Sequence, residues 1–141
     1  ITQVGTTADV VARPRSRYAA ELVGINLLPA SVDPVEPTAV RLASGATLAL
    51  AEPAPPGTIA VAIRPQAIAL HAARPEGSPR NAWSTTIVDL HLERDRVRVR
   101  LAGPIEVAAE VTVAAARDMG LEPGQSIWAS VKAVDLTIYE P

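Results

Sequence analysis

The sequence predicts a mostly β fold of the barrel or sandwich type, with a short helical segment at its N-terminus and one short helix late in the chain. Three observations carry this. Strand-sized apolar runs recur at short, even spacing between clusters rich in Pro and Gly, of which the chain has 13 and 8. The apolar fraction is 48%, with no Phe, two Trp and two Tyr, so the core is built from small and β-branched side chains that suit strands. Finally, RVRVRL at 96–101 alternates strictly: Val97, Val99 and Leu101 point one way, and Arg96, Arg98 and Arg100 the other.

In chain order, residues 7–24 hold two helix-compatible pieces, TADVVAR and SRYAAELVG, separated by Pro14. Ser16 is placed to cap the second and Gly24 to end it. Beyond Gly24, DPVEP, ASG, EPAPPG, ARPEGS, AGP and EPG read as turns. Between them lie expected strands at 40–43, 46–50, 58–63, 67–71, 84–92, 96–101, 105–113 and 126–139. One helical turn fits 114–119, closed by Gly120. An internal echo runs through this order. Pro56-Gly57 leads to Arg64 followed by Ile68 and Leu70, and Pro123-Gly124 leads to Lys132 followed by Leu136 and Ile138. Two related β units, or merely two turns each followed by a strand, produce such an echo.

With 141 residues the chain has about one domain's length and can bury a core. A net charge of −2 gives no global field for nucleic acid or anionic lipid. The Arg96–Arg100 stripe reads as a solvated face beside Glu93, Asp95 and Glu106; a single-strand binder would want aromatic platforms that this chain hardly has. Without cysteine there is no disulfide or thiolate site. No apolar run approaches the ~20 residues of a membrane span. The chain opens at Ile1 without a signal-peptide pattern, so a cytoplasmic fragment of a longer protein is expected.

Catalytic signatures are missing: neither a phosphate-cradling G-x-x-x-x-G-K-[ST] loop nor a G-x-S-x-G elbow is present. His71 and His91 lack ligand spacing and read as structural or surface histidines. What remains is a set of neutral and cationic donors suited to a tetrahedral dianion. Gly77-Ser78-Pro79-Arg80-Asn81 is a turn entering a strand, Val111-Thr112-Val113 a strand entering a helix, and Val131-Lys132-Ala133 part of the last strand. None carries a carboxylate. Ser78 and Thr112 offer hydroxyl donors, the turn and helix start offer backbone N–H groups, and Lys132 offers a compact charge with three donors. Lys132 is the single Lys beside 12 Arg. Taken singly, each residue is equally at home as a turn cap, an ordinary strand residue or a solvated cation.

At these residues the chain resembles a known family. SPRNAWSTTIV is similar to the S-A-R-N opening of Mop-like oxyanion domains, and EVTVAAARDMGLEPGQSIWASVKAVDLTI to their ending. Upstream, ARPRSRYAAELVGIN resembles the segment after the nucleotide-binding domain of ABC importer ATPases, and VAIRPQAIAL their I-R-P-E-x-I-x-L strand. The order matches the C-terminal regulatory TOBE region of molybdate/tungstate-type importer ATPases. The resemblance implies an OB-like, Mop-like β-barrel. It implies that residues 1–24 trail from a nucleotide-binding domain, that 25–72 form a first β unit and 73–141 a Mop-like second, with 25–141 packed as one regulatory domain. It implies oxyanion contacts from Ser78, Arg80 (largely main chain), Thr112, Lys132 and Ala133, with molybdate or tungstate as ligand, at a site between the subunits of a homodimer. The further partners implied are the nucleotide-binding domain of the same parent chain, which would hold ATP and magnesium, and membrane permease subunits, at the cytoplasmic face of the membrane. Oxyanion binding would then hold the ATPase pair apart and stop import. Nucleic acid is not an expected partner. The chain departs from the family twice: Pro79 lacks the N–H of the common Ala, and Ala133 lacks the hydroxyl some relatives have as Ser. Pro79, and a chance origin of the single Lys132, suit an alternative, a non-binding dimerisation scaffold of a sugar, iron, sulfate or polyamine importer ATPase.

Overall fold

The structure, a computed structural model, describes residues 24–76 and 81–139. The helical segment expected at 7–24 lies outside them, apart from Gly24, which forms a turn at φ 74°. Ten strands, two 3-10 turns and one α-helix follow in order: β1 Asn26–Asp33, β2 Glu36–Leu42, β3 Thr47–Ala49, β4 Gly57–Ile63, η1 Pro65–Ala67, β5 Ala69–His71, β6 Asn81–Glu93, β7 Arg96–Ala102, β8 Val107–Thr112, α1 Val113–Met119, β9 Ser126–Val131, η2 Ala133–Asp135 and β10 Thr137–Tyr139. The fold is mostly β, in two antiparallel five-stranded sheets, as the composition and punctuation predict.

The two sheets have the same strand order. One runs β10-β4-β1-β2-β3 and the other β5-β9-β6-β7-β8. Each half of the chain builds four strands, a 3-10 turn and a fifth strand, and that fifth strand joins the sheet of the other half. The echo noted above marks this boundary: β4-η1-β5 and β9-η2-β10 are the same series. Among the described residues two compact units result, the first containing 24–64 and 134–139 and the second 65–76 and 81–133.

In the first unit Ile59, Val61 and Ile63 of β4 alternate inward beside Val32 and Val40, all at most 3% exposed. β1 was not foreseen, because Pro29 interrupts it. The ladder explains the tolerance. β2 pairs with β1 only from Ala30 onward, so at Pro29 the strand has β4 on one side and a free edge on the other. In the second unit the first half of β6 alternates cleanly: Asn81, Trp83, Thr85 and Ile87 are buried and the residues between them exposed. Val99, Ala109 and Ala129 complete that core with no exposure. Such packing contributes roughly 1.5–3 kcal/mol per large apolar side chain. The expected strand 126–139 is broken after Val131, where η2 turns the chain out of one sheet and into the other.

Candidate functional site

Thr112 is the last residue of β8 and the N-cap of α1. Its backbone is extended (φ −72°, ψ 157°), and its Oγ1 accepts the N–H of Ala115 at 3.0 Å. That bond fixes the rotamer and uses an oxygen lone pair. The hydroxyl proton stays available, and the residue is exposed. Gly120 closes the helix in the left-handed region at φ 61°, its N–H reaching the carbonyls of Ala116 and Arg117. The boundaries thus match the expected turn to within one residue.

Lys132 follows buried Val131 at the end of β9 and is exposed; Ala133 opens η2. Lys132 makes no ion pair or hydrogen bond with a described residue, and Val131 is opposite Asn81 in the ladder. Ser78 and Arg80 lie outside the described residues, so their expected role stands as a proposal. The structure brings Lys132 and Ala133 to the Asn81 end of β6. Thr112 pairs with Arg96, which pairs with Glu93 at the other end of that strand.

Two residues named in the sequence reading, but not as site contacts, stand beside the candidates. Arg96 stands directly beside Thr112 in the β7–β8 ladder, an adjacency that strand alternation alone cannot disclose. Asn81 is 9% exposed at the corner next to Lys132. Its counterpart in the first unit, Asn26, sits opposite Ile63 and donates Nδ2–H to that carbonyl at 3.1 Å. An Asn opens both β1 and β6, opposite Ile63 in one unit and Val131 in the other.

The arginine stripe is partly paired. Arg100 Nε lies 3.1 Å from Asp89 Oδ2, and Arg98 Nη1 lies 4.0 Å from Glu110 Oε2. Of the acidic residues expected beside the stripe, Glu93 stands opposite Arg96. Glu110 also accepts from Gln66 Nε2 at 3.3 Å. Of the histidines, His71 shares a 2.8 Å hydrogen bond with Ser130 Oγ, while exposed His91 lies 3.3 Å from Asp89 Oδ1. A groove of about 330 Å³ in the first unit is lined by Asp33 and Glu36 as well as Arg41, a poor lining for an anion.

Comparison with known proteins places these features. Residues 77–138 match the TOBE domain family. Over 99% of its length the chain is 34% identical to the molybdenum import ATP-binding protein ModC of Mycobacterium tuberculosis, in both strain CDC 1551 / Oshkosh and strain H37Rv. It spans 39% of the length of those relatives. Its fold is similar to a crystal structure of the cytoplasmic molybdate-binding protein ModG with molybdate bound, at a TM-score of 0.71 and 21% identity, covering 82% of this chain and 96% of that one. Among the described residues no helix is long and apolar enough to cross a membrane. Residues 77–138, which contain Thr112, Lys132 and Ala133, thus belong to the TOBE domain family, and over 99% of its length the chain is similar to a region of an ABC importer ATPase.

Proposed function

We propose that this chain is the regulatory region of a molybdate- or tungstate-type importer ATPase and that it binds the oxyanion itself. The observation that carries this reading is the 34% identity to a molybdenum import ATP-binding protein over 99% of the chain. The site is formed by Ser78, the main chain at Arg80, the Thr112 hydroxyl, the Lys132 ammonium and the main chain at Ala133. The exposure of Thr112 and Lys132, and the lack of an ion pair at Lys132 with any described residue, support it. A tetrahedral dianion takes hydrogen bonds from neutral hydroxyls and N–H groups and one compact cation, with no acceptor opposing it.

The site lies between two copies of the chain, and regulation is by differential affinity. The oxyanion favours one arrangement of the two regulatory regions, and that bias is transmitted to the nucleotide-binding domains of the same parent chains and to the membrane permease subunits. Import slows when the cytoplasm is replete. This region takes no part in ATP hydrolysis; ATP and magnesium belong to the nucleotide-binding domain.

A non-binding scaffold is the second reading, favoured by Pro79, which has no N–H to donate. Lys132→Ala separates the two. Molybdate affinity falls by about 10-fold or more under the oxyanion reading, since a charge-assisted hydrogen bond is worth roughly 1.5–3 kcal/mol. An unchanged molybdate affinity in Lys132→Ala would sink the assigned site.

A further inference from the structure

The two units differ in one respect that their shared strand order makes plain. In the first unit, Val32 opposes Gly57 and Val40 opposes Leu48; in the second, Ile87 hydrogen-bonds Gln125 and Leu101 opposes Val107. These are matching positions. Only seven residues separate Val32 from Val40, whereas thirteen separate Ile87 from Leu101. The β6–β7 hairpin of the second unit is therefore a longer arm. β8 runs along β7 as far as Thr112, which the oxyanion reading assigns to the site.

One side of this arm is open. β9 accompanies β6 only as far as Ile87, and among the described residues no strand pairs that side of β6 beyond it. The hairpin closes on the pair Glu93–Arg96, so Glu93, His91 and Asp89 exchange backbone hydrogen bonds with β7. The N–H and C=O groups of Leu90 and Leu92 then point away from β7, toward the open side. Their side chains share a face with Val99 and Val97, and Val97 continues to Val111 in β8. That apolar face is incompletely covered at its tip: Leu92 is 71% exposed, Val97 and Val111 are half-buried, and α1 contributes no buried residue.

The open segment reads Asp89-Leu90-His91-Leu92-Glu93. It is a chemical palindrome: acid, Leu, His, Leu, acid. An antiparallel copy centred on His91 sets Leu90 against Leu92 of the other chain twice over. The outward backbone groups of Leu90 and Leu92 meet their own complements across a two-fold axis, as an isologous contact requires. Asp89 and Glu93 face each other in that register, each with an arginine of its own β7 opposite it, Arg100 and Arg96. We propose that the β6 edge from Leu90 to Leu92 is the dimerisation edge of this protein, pairing antiparallel with the same edge of a second copy.

This goes beyond the oxyanion reading and does not rest on it: in this register Thr112 lies near the paired edge, while Lys132 stays at the Asn81 end of β6. Sedimentation equilibrium on the 141-residue chain tests it, with circular dichroism to confirm that each variant is folded. The expected result is a dimer that Leu92→Arg weakens at least ~10-fold, by setting two cations against each other at the edge. Leu90→Pro, which deletes an N–H on the open side and spares the ladder to β7, weakens it as well. Val35→Arg changes a side chain 85% exposed at the tip of the shorter hairpin and leaves the dimer intact. A monomeric parent chain, or a Leu92→Arg variant that dimerises as the parent does, overturns the proposal. Titrating the same samples with molybdate separates the two ideas. A dimer that this edge controls but that binds no molybdate overturns the oxyanion reading alone, whereas a parent that binds molybdate and whose dimer Leu92→Arg leaves unchanged overturns the edge pairing alone.

Discussion

Thr112 has two separable duties, and a short substitution series divides them. As N-cap it accepts the Ala115 N–H at 3.0 Å. In its proposed ligand role it donates its hydroxyl proton. Thr112→Ala removes both. Loss of a cap costs about 1 kcal/mol, within a range of roughly 0.5–2, and loss of a hydrogen bond to a charged ligand roughly 1.5–3 kcal/mol, or ~10-fold or more in affinity. Thr112→Asp keeps the cap, since a carboxylate accepts the same N–H and favours a helix start. It has no proton to donate and sets a negative charge against an anion. Thr112→Ser keeps both duties. The assays are denaturant unfolding for stability and calorimetry for molybdate. The expected pattern is that Ala is less stable and binds weakly, Asp is as stable as the parent and does not bind, and Ser resembles the parent. Parent-like molybdate affinity in Thr112→Asp would refute the donor role, and unchanged stability in Thr112→Ala would refute the cap.

Other expectations follow from the same geometry. Lys132→Met leaves stability within about 0.5 kcal/mol, because the side chain is exposed and unpaired among described residues, while weakening molybdate binding; a large stability loss would mean the ammonium has a structural partner. Gly120→Ala destabilises by about 1 kcal/mol in urea unfolding, through its φ of 61° and not through a clash, since a Cβ there meets nothing within 4 Å. Ile87→Ala, at 1% exposure, costs roughly 2–5 kcal/mol by the same measurement. In the first unit Arg64 stands where Lys132 stands in the second, and a Pro-rich turn replaces the extended β8 and α1. Calorimetry should therefore return one oxyanion per chain, and two per chain would show that Arg64 serves as Lys132 does.

Much of the β architecture was legible because each strand announces itself locally. RVRVRL alternates as β7 does, and Thr112 before AAARDM and Gly120 marks a helix start and stop by capping chemistry alone. Asn26–Asp33 was missed because NLLPASVD neither alternates nor avoids proline, and the ladder excuses Pro29 only through a partner that ends at Ala30. The exchange of β5 and β10 between sheets was not legible either. A three-residue strand carries no local signal of which sheet it joins, so the related segments were visible as spacing and their pairing was not. At the site, residue chemistry pointed to Thr112 and Lys132, since a capping hydroxyl and a solitary ammonium are recognisable in sequence. Arg96 became a neighbour of Thr112 only through the β7–β8 register, which depends on the length of the loop between those strands.

The central claim is that this TOBE region binds a tetrahedral oxyanion of the molybdate type. Calorimetric titration of the chain with molybdate, with sulfate as the control, tests it most directly. The account predicts saturable heat with molybdate and little with sulfate. A dimeric sample that gives no heat with either anion would contradict it and leave a scaffold without a ligand.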